Sequence, residues 1–483
     1  MKITDVLKRS KVGVMVCGHK EYWAQFENMR EECMARAEVF ERFVAETGVE
    51  LITYSNGVDQ IVDTVEESYK AGLFFNAQDV DILFIYLTAY VASGRFMQGI
   101  MQTHCPTVVI ANQIDLSKAE ITIRATTAGG SPCALPEVYN ALERCGKPAA
   151  GLLYGDIDTN ERLRNEVREW CRVANALRAY KGAIFGHLGH SYEGMLDMNF
   201  DPTTFTRTFG IHVRMLEMCE FVDYVKNATD EEVQNMEKRI RDTFELLGPS
   251  NDKTTVPINP DDVTWAARCS AGLYKLLDNN NLNGLSYYYE GLDNYYERVA
   301  SNMIIGNSLL TSEGRSLAGE SDMKTCLAMY TTSALGCGGS FAELCFTDYA
   351  DNVQMIGHDG PHDIRISNGK PTIRGLGLYH GKRGHGISVE FSLKTGPITM
   401  LGLGSDVNGQ FSFIVAEGES VPGPIPPYGN TETRCVFDKD VSRFVEDWST
   451  AGNNHHMSLC IGHNASLIQK LAKCLNIKYI RVR

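Results

Sequence analysis

The sequence has no apolar run long enough to cross a membrane. Its longest, Ile82 to Ala92, is about half of the roughly 20 residues a span requires. It also has no C-x2-C pair, although 14 cysteines scatter from Cys17 to Cys474. Neither a disulfide framework nor a closed thiolate zinc cluster is therefore expected, and most of these cysteines read as buried free thiols. At the amino terminus, MKITDVLKRSKVGVMVCG carries charges where a secretory signal needs an unbroken apolar core. These absences lead to the expectation of a cytoplasmic, reducing location. Positive charge is in deficit too. Lys+Arg 46 against Asp+Glu 60 leaves a net charge of −14, which opposes attraction to nucleic acid or anionic lipid, so no nucleic-acid or membrane partner is expected. No G-x-x-x-x-G-K-[ST] occurs. The Gly375/Gly377 and Gly402/Gly404 pairs lie in strand-like sequence and read as bulge or turn glycines instead of a phosphate cradle.

What remains is an ordinary globular composition, 43% hydrophobic and 22% charged, in a chain of 483 residues. At about 150 residues per domain, such a length predicts about three domains. The first 180 or so residues alternate short apolar runs (Lys11–Cys17, Val49–Tyr54, Asp81–Tyr86, Thr107–Ala111) with amphipathic stretches at Met29–Thr47 and Val58–Ala71. Strands that are nearly all apolar belong to parallel sheets covered on both faces, so residues 1–178 predict a Rossmann-like α/β domain. A second α/β domain is expected over 179–338, opening on the strand-like GAIFG. Its helices are expected at Thr229–Leu247, Asp261–Leu277 and Asp293–Asn307, with a strand at Leu285–Tyr289. From 339 to 483 short alternating runs separated by Gly, Pro and Asn predict a carboxyl-terminal β-barrel-like domain, with the last 40 or so residues helical before a strand at Lys478–Val482.

Four segments bring ionisable ligand types beside small residues: AGESDMKT with Glu320, SFAELCF with Glu343, MIGHDG with His358, and AGNNHHMSL with His455 and His456. Each has an ordinary reading. Glu320 suits a first-turn acid of a following helix, His358 a strand-end histidine, and the His455–His456 pair a surface position. Glu343 is harder to place so, because a carboxylate inside an apolar strand is costly unless paired or metal-bound. Together, two carboxylates and one or two imidazoles suit a catalytic divalent ion such as Mn²⁺, with positions left open for substrate.

In order and spacing these segments resemble the L-arabinose isomerase family, within the wider L-arabinose/L-fucose isomerase group. The resemblance covers Gly-Glu-x-Asp-x-Lys-Thr at Gly319–Thr325, Ser-Phe-x-Glu at Ser340–Glu343, the site at His358, and Ala-Gly-x-x-His-His at Ala451–His456. It implies metal ligands Glu320, Glu343, His358 and His456, with His455 near the substrate and Asp322 orienting the ligand group. It also implies that Tyr289 is an aromatic sugar contact and that Gln113 reaches the sugar across a subunit interface in a homotrimer or homohexamer. The segment Gly18–Phe26 departs from the family pattern, which leaves His19, with Tyr22 and Gln25, to shape a different pocket. GHLGHSYEGMLDMNFD departs as well, with His187, His190 and Met195 as open contacts.

The implied activity is aldose–ketose isomerisation of L-arabinose or a related unphosphorylated aldose through an enediol. Glu320 and Glu343 are the catalytic candidates, and Mn²⁺, Co²⁺ or Mg²⁺ the cofactor. Two alternatives stay open on chemistry alone: a metal-dependent hydrolase with water in the open position, and a non-catalytic sugar-binding protein.

Overall fold

A computed structural model describes residues 9–114, 117, 120–128, 132–288, 294–377 and 386–483. The chain divides into two compact units, one ending at Ala179 and the other running from Tyr180 to Arg483. No helix among the described residues is long and apolar enough to cross a membrane, and none of the 14 cysteines is joined in a disulfide among the described residues.

The amino-terminal unit is built on strands β1 (Lys11–Cys17), β2 (Glu50–Thr53), β3 (Ile61–Val62), β4 (Ile82–Leu87), β5 (Thr107–Asn112) and β6 (Gly151–Gly155). All pair in parallel in the order β2-β1-β4-β5-β6, with β3 also beside β1. Strands β4 and β5 are buried along their whole length, as sheets covered on both faces require. Helices α1 (Met29–Glu46), α2 (Val65–Ala77), α3 (Ala134–Arg144) and α4 (Glu161–Tyr180) alternate with them. Strand order reverses between β1 and β4, the switch point of a doubly wound sheet. The amphipathic stretch 58–71 is not one helix. Asn56 and Asp59 side chains accept from the backbone N–H groups of Val58, Asp59 and Ile61, which holds a turn there. Helix α2 starts only after Thr64, whose hydroxyl accepts from the Glu67 N–H.

The second unit opens with β7 (Ile184–Leu188) and β8 (His212–Leu216). After α5 (Asp230–Thr243) come the short β9 (Glu245–Leu246) and β10 (Thr255–Val256), then α6 (Pro260–Asn279), β11 (Gly284–Tyr287), α7 (Ile304–Ser312), β12 (Ser316–Ala318) and α8 (Met323–Ala334). Thr229 and Glu232 form a reciprocal capping box on α5, the reason it starts there. Strands β12-β11-β7-β8 form a second parallel sheet, with its reversal between β11 and β7. The single helix expected over 293–307 is instead two, Asn294–Ala300 and α7, separated at Ser301–Asn302, whose side chains bond back to carbonyls four residues earlier.

The remainder is rich in sheet: β13 (Ser340–Asp348), β14 (Val353–His358), β15 (Thr372–Leu376), β16 (Gly386–Glu390), β17 (Gly396–Ser405), β18 (Phe411–Ser420), β19 (Thr431–Val436), β20 (Met457–Ile461) and β21 (Lys478–Val482). One hydrogen-bonded path runs β17-β20-β13-β14-β19-β18-β21, and β18 also pairs with β17 from end to end. Strands β9, β10, β15 and β16 form a smaller sheet. The carboxyl terminus is not helical throughout: between α9 (Val441–Ser449) and α10 (Ala465–Cys474) lies β20, a buried MSLCI that pairs on both edges. The glycine pairs serve close backbone approach. A Cβ at Gly375 would meet Val256 O at 2.5 Å, and one at Gly404 would meet Gly452 O at 2.1 Å.

Candidate metal centre

Three adjacent strands and one strained turn of the second unit supply the site. Strand β13 carries Glu343, and its register partner on β14 is Gly357, followed by His358 as the last residue of that strand. His456 precedes β20, which pairs with β13 through Met457 and Ala342. Glu320 comes from the turn between β12 and α8, at the carboxyl end of the parallel sheet, where α/β folds bind ligands. Both Glu320 and Ser321 have left-handed backbone, φ 57° and 61°. For residues with a Cβ this conformation costs on the order of 1 kcal/mol each.

The functional atoms converge. His456 Nε2 lies 3.6 Å from Glu320 Oε2, and His358 Nε2 lies 3.8 Å from Glu320 Oε1 and 3.9 Å from Glu343 Oε1. Two overlapping triads result, Glu320–His358–His456 and Glu343–His455–His456, with the ligand atoms of each within 4.8 Å of one another. The surface reading of the histidine pair does not hold for His456, which is 0% exposed.

Each buried imidazole has a carboxylate behind it. Asp322 Oδ2 is 3.1 Å from His456 Nδ1, and Asp359 Oδ1 is 2.8 Å from His358 Nδ1. A carboxylate only accepts, so Asp322 fixes the His456 proton on Nδ1 and leaves its Nε2 as a bare lone pair, the form a metal needs. Asp322 also caps α8, accepting from the Thr325 N–H and hydroxyl, and both its oxygens accept from Asn454 Nδ2 at 3.0 Å. Burial alone would raise its pKa, but the bonds from His456 and Thr325 hold it at about 2. Burial favours neutral His358, yet the Asp359, Glu343 and Glu320 carboxylates outweigh it and raise its pKa. His456, subject to the same burial, is pushed down despite Asp322. The Phe341 ring packs 4.6 Å from His358 and 4.3 Å from His456 between centroids, so an apolar plate sets the two imidazole planes.

The donor set fits a divalent cation on an observation of its own. Glu320 Oε2 and His456 Nε2 are buried, face each other, and have no hydrogen-bond partner among the described residues. Such orphaned acceptors are unfavourable in a protein interior unless a cation or a donor completes them. Two carboxylates with two imidazoles match Mn²⁺, Co²⁺ or Mg²⁺ chemistry better than a thiolate site would.

Of the residues marked in the sequence, Glu320, Glu343, His358, His456, His455 and Asp322 are brought together. Gln113 and His19 belong to the amino-terminal unit. Gln113 directly follows β5, accepts from the Tyr154 hydroxyl at 3.1 Å and donates to Ile114 O. His19 follows β1 at the switch point, packs on Tyr22 with centroids 4.4 Å apart, and lies 3.3 Å from Glu21. Tyr289 falls outside the described residues. Of the open contacts, His187 is a buried histidine paired with the Ser286 hydroxyl at 2.9 Å. Sequence reasoning passed over Asp359, Asn454 and Phe341. Their signal was position alone, each lying one or two residues from a ligand candidate.

The family model of the L-arabinose isomerase central domain matches residues 200–338. The chain is 23% identical over 326 residues to an L-arabinose isomerase of Nocardioides sp. (strain ATCC BAA-499 / JS614), an alignment covering 65% of this chain and 62% of that protein. It is 22% identical over 322 residues to the L-arabinose isomerase of Clavibacter sepedonicus, covering 64% and 61%. To a sulfoquinovose isomerase of Alkalicoccus urumqiensis it is 19% identical over 407 residues, covering 82% and 85%. The chain thus spans less than two thirds of the two arabinose isomerases it matches. By these matches the chain is similar at low identity to L-arabinose isomerases, and the model of that family's central domain aligns with its residues 200–338.

Proposed function

We propose that the chain is a metal-dependent aldose–ketose isomerase acting on L-arabinose or a related unphosphorylated aldose. The observation that carries this reading is the pair of orphaned acceptors, Glu320 Oε2 and His456 Nε2, facing each other within reach of His358 and Glu343. These four side chains would hold the cation, Mn²⁺ being the first candidate. When bound, it supplies positive charge opposite the sugar oxygen on which negative charge develops.

The remaining chemistry belongs to the side chains. A carboxylate takes the C2 proton as the C2–H electron pair becomes the C1–C2 double bond of an enediol, and the carbonyl pair moves onto O1, which is protonated. The reverse process at the neighbouring carbon returns the proton to C1 and leaves the carbonyl at C2, so no atom is gained or lost. Glu320 and Glu343 are the two carboxylates proposed for this transfer, one 18% and the other 38% exposed at the side chain. Asp322 keeps the His456 imidazole in one tautomer throughout, and the Asp359 carboxylate lies beside His358. The homotrimer or homohexamer with sites between subunits is part of the same proposal, resting on the family resemblance.

The test is an aldose panel that includes L-arabinose and sulfoquinovose, assayed with Mn²⁺, Co²⁺ and Mg²⁺ in turn and after chelation. A ketose formed without uptake of water, lost with chelator and restored by metal, is expected. Hydrolysis products, or sugar binding with no turnover, would overturn the reading. Glu320→Gln and Glu343→Gln, followed by deuterium exchange at C2, identify the base. Full exchange by both would remove the assignment.

A further inference from the structure

Asp197, in the loop after β7, is not among the residues that the family motifs mark, yet it grips the candidate site. One of its oxygens, Oδ2, accepts from the His455 backbone N–H at 2.9 Å and lies 2.7 Å from His455 Nδ1. Two bonds from one residue to one oxygen fix both the position and the ring rotation of that histidine. The ring also lies against His456, centroids 3.8 Å apart. Because a carboxylate only accepts, the His455 proton sits on Nδ1 and Nε2 keeps its lone pair.

Asp197 is itself held. Lys324, buried on α8 two residues after Asp322, donates from Nζ to the Asp197 carbonyl at 2.5 Å. Nearby, the Ser321 hydroxyl donates to the His190 carbonyl at 2.7 Å. The loop after β7 is thereby fastened at one point to the turn that carries Glu320 and at another to the first turn of α8. The site then contains three carboxylate–imidazole pairs. In two of them, Asp322–His456 and Asp359–His358, the side chains are 8% exposed or less. In the third, Asp197 and His455 are 40% and 33% exposed, so this is the pair that a small molecule can reach.

We propose that Asp197 is a positioning residue for His455, holding its Nε2 lone pair free to accept a hydrogen bond from a hydroxyl of the polyol substrate. The kinetic arm of this proposal rests on the isomerase reading above; the structural arm does not.

The experiment is a double-mutant cycle of Asp197→Ala and His455→Ala in the full-length protein, read together with ¹⁵N-histidine NMR. Removing Asp197 is expected to lower kcat/KM by about 10- to 100-fold, as loss of a ligand-orienting partner does. The double variant should be no worse than His455→Ala alone, with Mn²⁺ affinity by electron paramagnetic resonance and the urea midpoint unchanged. Additive losses, or an Asp197→Ala that weakens Mn²⁺ binding as much as activity, would overturn the proposal. By NMR, with the signal assigned through His455→Gln, His455 is expected as the Nδ1–H tautomer in the wild type and not in Asp197→Ala. The same tautomer in both would overturn it. If the wild type turns over no aldose, the NMR result still decides the Asp197–His455 pair, and the isomerase reading alone falls.

Discussion

Replacing Asp322 by Asn changes one atom at the point where folding and metal chemistry meet. The residue is fully buried, and its oxygens accept from the Thr325 N–H (2.9 Å), the Thr325 hydroxyl (2.8 Å), Asn454 Nδ2 (3.0 Å to each) and His456 Nδ1 (3.1 Å). An amide offers one acceptor where the carboxylate offers two, so its NH₂ must face a donor whichever way it turns. Turned toward Thr325 N, it uncaps α8 and confronts Asn454, a loss of about 1–2 kcal/mol for the cap alone. Turned toward His456, it forces that ring to carry its proton on Nε2, which removes the lone pair aimed at Glu320. Hydrogen bonds to charged groups contribute about 1.5–3 kcal/mol each, so the total loss is on the order of 2–4 kcal/mol, accompanied by a 10- to 100-fold fall in metal affinity or activity of about the size usual for such partners. Urea denaturation followed by circular dichroism, with calorimetric Mn²⁺ titration, measures both. An Asp322→Asn protein with the wild-type midpoint and wild-type Mn²⁺ affinity would refute the argument that this carboxylate sets the His456 tautomer.

Two further outcomes follow from the same geometry. Glu41 is 7% exposed on α1, and burial, aided by Glu38, raises its pKa from 4.5 to about 7. Between these values the native state binds more protons than the unfolded one, so this residue's contribution is full below pH 4.5 and lost as pH climbs through 7. The change is up to about 3 kcal/mol, and Glu41→Gln should flatten it in urea midpoints measured across that window. Gly357 pairs with both Glu343 and Glu432, and a Cβ there would meet Thr431 O at 2.0 Å and Glu432 Cα at 2.7 Å. Gly357→Ala should push β14 and β19 apart, destabilising the protein by about 1–3 kcal/mol and shifting His358. An unchanged melting temperature would contradict it.

Much of the parallel architecture was legible because it is written in local composition. Runs such as KVGVMVC and ILFIYL are nearly all apolar and are separated by amphipathic stretches, the pattern of strands covered on both faces. The stretch 58–71 was misread because apolar spacing does not report that Asn56 and Asp59 divert the backbone into a turn. β20 was missed because MSLCI is equally compatible with a buried helix, and only its two neighbouring strands decide the matter. At the site, ordered motifs marked the ligand candidates and Asp322 as an orienting acid, but which imidazole each acid meets, and Asp197 and Asp359 altogether, could not be read. Asp197 meets His455 across 258 positions of sequence and Asp322 meets His456 across 134. No periodicity spans such intervals.

The backward-wound backbone at Glu320 and Ser321 has a consequence for how this chain can change. Glycine enters that region of conformational space freely, so a Glu320→Gly variant should fold more firmly than its parent while losing the carboxylate on which the centre depends. Screens that reward thermal robustness alone would therefore drift toward an inert protein at this position, and only a selection that reads turnover would retain the acid.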